Sequence, residues 1–209
     1  MRMTSSSTLI TAALMAACAS GTATAGDGPL GIDHKLHFDD SGIWRRSNQK
    51  ALAGILVGGE LLGALWEGSD TRLGRTFYQA IDASAIGGVS SEVLKHSFRR
   101  LRPTQTDDPN QWFEHGGRSF PSGEVTLAAA VVTPFVLEYG HDHPAVYALE
   151  LIPLYDGAAR MKVHAHWQSD VLAGWALGTL AGYYAHSRSQ SLTVGVLPRG
   201  MTVGWKGKF

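Results

Sequence analysis

Apolar residues recur at helical spacing over most of this chain. Leu52, Ile55, Leu56, Leu62 and Trp66 mark a first helix, with Ser47 as its expected cap and Glu60 interrupting it. A second helical stretch is expected from about Thr71 to Arg102, broken near Gly87-Gly88 and stopped by Pro103, whose ring removes a backbone donor. A loop rich in Asp, Asn and Gly follows from Thr104 to Ser119. Val125 to Leu137 is then apolar on all sides, which predicts a buried helix kinked at Pro134. Another helix starts at Pro144 and carries Pro153, and a last one spans Trp167 to His186. In this last helix Gly174, Gly178 and Gly182 fall four apart, a ridge that allows close helix contact. The period then changes. Leu192, Val194 and Val196 alternate, Pro198-Arg199-Gly200 supplies a turn, and Met201, Val203 and Trp205 alternate again, so a β-hairpin over 190–209 is expected, packed on the bundle or on a partner.

The architecture read from this pattern is mainly α. It comprises a helical bundle over 49–188, a polar lead-in over 26–48 and the hairpin tail. The first 25 residues follow a different logic: Arg2, an apolar run from Leu9 to Ala19, and Ala23-Thr24-Ala25 before Gly26 make an export leader with a peptidase site. An alternative is lipidation at Cys18, the only cysteine, behind Leu14-Met15-Ala16-Ala17. Either way the mature chain has no disulfide, and it is expected in the periplasm or cell envelope.

Composition narrows the function classes. Lys plus Arg and Asp plus Glu both number 18 in 209 residues, so no net charge draws the chain to nucleic acid. Only 17% of residues are charged, which fits either a membrane protein or an apolar helical core. The apolar run Val171 to Tyr184 is shorter than the roughly 20 residues a span needs, so the expected body is soluble or peripheral. Membrane contact through Trp205 and Phe209, beside Lys206 and Lys208, is the sharper alternative for the hairpin. In the lead-in, Asp33, His34, His37, Asp39 and Asp40 lie close together; a solvated polar segment is preferred there over a metal site.

Three motifs carry chemistry. Lys95 and Arg102 are two helical turns apart, projecting from one face with Arg99, and a solvated basic face of Arg99, Arg100 and Arg102 is the plain alternative. Pro121-Ser122-Gly123-Glu124 opens the buried helix and offers backbone N–H groups, a hydroxyl and a dipole end to an oxyanion. Arg160, His166 and Asp170 complete the set, the last two spaced so that a carboxylate reaches one imidazole nitrogen.

In order and spacing, Lys95-x6-Arg102-Pro103, Ser119-Phe120-Pro121-Ser122-Gly123 and Arg160-x5-His166-x3-Asp170 resemble the signature of the type 2 phosphatidic acid phosphatase family, which includes bacterial acid phosphatases and vanadium haloperoxidases. The resemblance implies a helical bundle in which Lys95, Arg102, Arg160 and the N–H groups of Ser122 and Gly123 hold phosphate. It implies that His166 attacks phosphorus, that Asp170 fixes its tautomer, and that water releases phosphate from a phosphohistidine. No metal is needed, and vanadate fits the same cradle. The implied substrate is a phosphorylated lipid or a small phosphoester, cleaved at the monoester or diphosphate bond.

Two positions depart from the family. Ala159 stands where Ser is usual. Glu124 stands where the family has the His that protonates the leaving oxygen, and a carboxyl group can do this only when protonated. Four consequences remain open on sequence: Glu124 works as an acid, another residue such as His115 replaces it, the substrate needs little leaving-group protonation, or the chain binds phosphate without turning it over. A haloperoxidase holding vanadate on His166 is the competing enzyme reading.

Overall fold

A computed structural model describes residues 27–188 and, as backbone only, the segments 193–197 and 200–204. The leader, Cys18, Trp205 and Phe209 lie outside the described residues. Five α-helices form the body: α1 (Arg46–Glu67), α2 (Arg72–Phe98), α3 (Gly123–Tyr139), α4 (Leu151–Lys162) and α5 (Gln168–Ser187). Short 3-10 turns sit at Pro29–Gly31, Gly42–Trp44 and Pro144–Glu150.

Helix α3 is the centre, because its sequence leaves no polar face to give to water. Val125 and the run from Ala128 to Val132 are buried. Helix α5 packs along it through the glycine ridge. A Cβ at Gly174 would meet the Ser122 carbonyl oxygen at 2.5 Å, and one at Gly182 would meet Thr133 Cβ at 2.5 Å. Any larger residue there would push α5 away from α3. Val125, Ala129, Val171 and Trp175 form the main apolar cluster, with Leu154 and Met161 of α4 packed on it.

Several sequence expectations change. Helix α1 begins at Arg46, so Ser47 is exposed inside its first turn rather than capping it. Glu60 does not interrupt α1; it is buried against α2, where Ser84 Oγ donates to it at 2.9 Å, and burial pushes its carboxyl up to about 7. Helix α2 runs unbroken through Gly87-Gly88, since Gly87 provides the gap into which Thr126 and Ala130 of α3 fit. It stops at Phe98, three residues before Leu101-Arg102-Pro103, because Arg99 adopts the left-handed conformation (φ 42°) and its N–H closes on the Lys95 carbonyl. The segment starting at Pro144 is first a 3-10 turn and becomes α-helical at Leu151.

Past α5, the backbone of Thr193–Leu197 pairs antiparallel with Gly200–Gly204. The expected hairpin finds no further support as part of the packed fold, because the side chains that would anchor it lie outside the described residues. Among the described residues, no helix is long and apolar enough to cross a membrane.

Candidate active site

The turn after α4 delivers His166 into the body. Ala165 N–H donates to the Arg160 carbonyl at 3.0 Å, and His164 is left-handed (φ 53°) with Nε2 at 2.6 Å from the Leu36 carbonyl. His166 Nδ1 lies 2.7 Å from the Ser119 carbonyl oxygen. A carbonyl only accepts, so Nδ1 carries the hydrogen and Nε2 keeps its lone pair. Burial, followed by the charges of Arg160, Arg102 and Lys95, holds this imidazole well below its usual range. His166 is therefore neutral at neutral pH, as a nucleophile must be.

The structure brings the three expected cations to this ring. Lys95 is buried at the end of α2, donating to Ser91 Oγ at 2.7 Å and Glu92 Oε1 at 3.1 Å, and its ammonium lies where a Cβ on Gly123 would meet it at 2.6 Å. Arg160 comes from α4, and burial lowers its guanidinium to about 10. Arg102 arrives by a different route from the expected one: it lies beyond the Arg99 turn and shares no helix face with Lys95. Burial, followed by the nearby charge of Arg46, lowers its pKa against the opposing pull of Glu124.

Among the described residues, the buried side-chain nitrogen and oxygen atoms that lack a hydrogen-bond partner are Ser122 Oγ, Arg160 Nε and Asp156 Oδ2. Ser122 is the N-cap residue of α3, yet its hydroxyl caps nothing. Its own N–H donates to the Asp170 carbonyl at 3.0 Å, so the hydroxyl, rather than this N–H, is the group left for an oxyanion. A hydroxyl and a guanidinium N–H left over beside three cations and a helix N-terminus form a candidate anion cradle.

Glu124 occupies the first turn of α3 and is held by a residue the motifs do not contain. Arg46 of α1 donates Nη1 to Glu124 Oε2 at 2.6 Å and Nη2 to Oε1 at 2.5 Å, while Arg160 Nη1 lies 3.5 Å from Oε2. Burial pushes the Glu124 carboxyl up, but Arg46, Arg160 and Arg102 together bring it below its ordinary value. In the ligand-free site Glu124 is ionised and has no proton to give. Gln49, fully buried one turn after Arg46, accepts from both Arg46 (3.0 Å) and Arg160 (2.9 Å) and spaces the two guanidinium groups. His115 is exposed on its loop.

Asp170 does not bond His166. Its Oδ2 is 3.9 Å from Nδ1, because its oxygens are engaged elsewhere. Oδ2 accepts from Ser119 Oγ at 2.5 Å and from Trp167 N–H at 2.9 Å, capping α5, and Oδ1 accepts from Arg100 Nη1 at 2.6 Å. Asp170 thus orients the ring through Ser119, whose carbonyl fixes the tautomer. Arg100 is completely buried rather than part of a solvated basic face. It donates to Asp33 Oδ2 at 2.6 Å, Ser169 Oγ at 2.8 Å and the Pro109 carbonyl at 3.0 and 2.7 Å, with the Trp112 ring 4.5 Å away. The solvated reading of the lead-in fails at Asp33, which is buried and also receives Ser169 N–H at 2.8 Å. Its neighbours His34, His37 and Asp40 are exposed. No group of three or more His, Cys, Asp or Glu side chains among the described residues is placed to hold a metal.

This bundle, with its cradle at the N-terminus of the central helix, can be set beside known proteins. A model of the PAP2 superfamily matches residues 79–193, more than half of the chain, and the protein belongs to that superfamily. A lipid A 1-phosphatase of Porphyromonas gingivalis is 30% identical over 151 residues, which cover 71% of this chain and 32% of the relative. A second, from Rhizobium johnstonii, is 30% identical over 99 residues, covering 44% and 39% respectively. The chain spans about a third to two fifths of the length of these relatives. The crystal structure of Aquifex aeolicus LpxE aligns with a TM-score of 0.48 at 22% identity, covering 66% of this chain and 82% of that one.

Proposed function

We propose that this protein is an exported phosphatase that removes phosphate from a lipid-borne monoester or diphosphate through a phosphohistidine on His166. The observation that carries the reading is the neutral His166, its Nδ1 hydrogen committed to the Ser119 carbonyl, facing three cations beside two buried donors that have no protein partner. Phosphate oxygens satisfy those donors and neutralise Lys95, Arg102 and Arg160. His166 Nε2 attacks phosphorus in line, the ester P–O bond breaks with its electron pair on the leaving oxygen, and water then displaces the imidazole. Vanadate suits the same cradle and is expected to inhibit by occupying it.

A lipid carrier is supported by the surface around the cradle. An apolar groove of about 570 Å³ on α2 is lined by Gly88, Val89, Val93 and Ser97 with Glu92 and His96. Glu92 is also the partner of Lys95, so the groove adjoins the cradle wall. Elsewhere on the surface, Ile55, Leu62, Leu65 and Trp66 of α1 and Leu180, Tyr183 and Tyr184 of α5 are exposed. The names of the two relatives point to a phosphorylated glycolipid.

The test is phosphate release by the purified full chain from detergent-dispersed glycolipid phosphate and from a soluble sugar phosphate. Faster release from the lipid, abolished by His166→Ala, supports the reading. Full activity in the His166→Ala protein would overturn it.

A further inference from the structure

The phosphatase reading leaves one chemical gap: an ionised Glu124 cannot protonate a leaving oxygen. The third unpartnered buried atom, Asp156 Oδ2, belongs to a residue one helical turn before Arg160 on α4, and Arg160 Nη1 lies 3.5 Å from Glu124 Oε2. Asp156 is only 2% exposed. The charged groups acting on it are Glu124 of α3, Arg160 of its own helix and Arg46 of α1, in that order. A carboxylate oxygen buried without a donor, facing a second carboxylate, is the costly arrangement; the same oxygen bearing a hydrogen is not. Burial pushes the Asp156 carboxyl up to about 7, opposite in direction to Glu124. Two carboxyl groups of one site are thus pushed in opposite directions, Glu124 held ionised by Arg46 and Asp156 raised into the range where it takes up a proton near neutral pH.

Resting on the phosphatase reading, we infer that Asp156 stores the proton that Glu124 hands to the leaving oxygen. Phosphate entering the cradle draws Arg160 away from Glu124 and adds negative charge beside it, so Glu124 becomes the better base of the pair and takes the proton from Asp156. As Nε2 forms its bond to phosphorus, the leaving oxygen keeps the P–O electron pair and receives that proton from Glu124. In the second half, water attacks phosphorus, the N–P pair returns to Nε2, and the proton of water passes back through Glu124 to Asp156. Asp156 acts through Glu124, so it is a positioning residue, and Glu124 is the catalytic acid.

The experiment compares an alkyl phosphate, whose leaving group needs a proton, with p-nitrophenyl phosphate, whose leaving group does not. Asp156→Asn should lower the ratio of kcat on the alkyl ester to kcat on the aryl ester about 100-fold, within the span of general acid catalysis. A purely structural role would slow both esters alike and leave the ratio unchanged, which would overturn the inference. A wild-type chain that cleaves neither these esters nor the dispersed glycolipid phosphate would instead sink the phosphatase reading. The infrared spectrum then decides the matter independently of turnover. In a Glu60→Gln, Glu150→Gln background, which removes the other glutamates raised by burial, a protonated-carboxyl band must be present at pH 6.5, and inorganic phosphate must shift it when Glu124 is intact but not in Glu124→Gln. Absence of that band, or an identical response in Glu124→Gln, contradicts the assignment even if Asp156→Asn fails to fold.

Discussion

Two clusters of charge lie on opposite sides of the Ser119–His166 contact, and they are finished to different degrees. Behind the ring, Arg100 is fully buried, yet each of its nitrogen atoms donates to Asp33, Asp170, Ser169 or the Pro109 carbonyl, and two tryptophan rings flank it. In front of the ring, Lys95, Arg102 and Arg160 crowd together, and the unpartnered buried polar atoms of the described residues all fall on this side or on Asp156 next to it. The rear cluster is a closed network that stiffens the turn carrying His166. The front cluster keeps unpartnered donors, and under the proposed function these are the groups left for phosphate. A folded protein tolerates open groups at a cost in stability, and an active site is where that cost has a use.

If this contrast is right, substitutions on the two sides must separate activity from stability. The largest effect belongs to His166→Ala, which should reduce kcat by at least about 10⁴-fold, read by phosphate release, while thermal unfolding changes little. Arg160→Met should lower kcat/KM by about 10²–10³-fold and leave the ligand-free protein equally or more stable, because it removes a buried cation from a crowd of like charges. Arg100→Met should do the reverse. It leaves the Asp33 and Asp170 carboxylates buried without their cation, at a loss of about 3–5 kcal/mol measured by denaturant unfolding. Equal losses of stability in the two arginine variants would erase the distinction.

A smaller effect probes the lipid groove. Val93→Glu, at an exposed position, should weaken kcat/KM for a dispersed lipid phosphate about tenfold and spare a soluble ester, since burying apolar chain is worth about 0.8 kcal/mol per methylene. The smallest concerns α1. Glu60 has its folded-state pKa raised from 4.5 to about 7, so the folded protein binds the extra proton and stability falls as pH rises through this window. Glu60→Gln should flatten that slope and gain on the order of 3 kcal/mol at pH 8, seen as a higher Tm.

The open cluster was the legible half. Lys95, Arg102, Ser122, Gly123, Arg160 and His166 stand at fixed spacings, so the three motifs locate them, even though the helix assumed to join Lys95 to Arg102 ends at Arg99. The closed cluster was not legible. Nothing local in Arg99-Arg100-Leu101-Arg102 says that the second arginine turns inward; that follows from the left-handed turn at Arg99 and from Asp33, sixty-seven positions away. Arg46, Gln49 and Asp156 were hidden for the same reason, because each acquires its role only when α1 and α4 close on α3. A carboxylate at position 124 in place of the usual histidine was the one signal that this corner of the site is built differently. Helix positions were readable where a long apolar run is unbroken or ridged with glycine, as in α3 and α5, and misread where glycine pairs suggested a break that packing against α3 removes in α2.

Under the proposed function the open cluster delivers phosphate to His166, and denaturing quench of the full chain during turnover of a ³²P-labelled lipid phosphate, followed by peptide mapping, tests this at the bond itself. An acid-labile, base-stable label is expected on the peptide containing His166 and absent from His166→Ala. Sustained phosphate release with no label on that peptide, under conditions where water attack is the slow step, would contradict it.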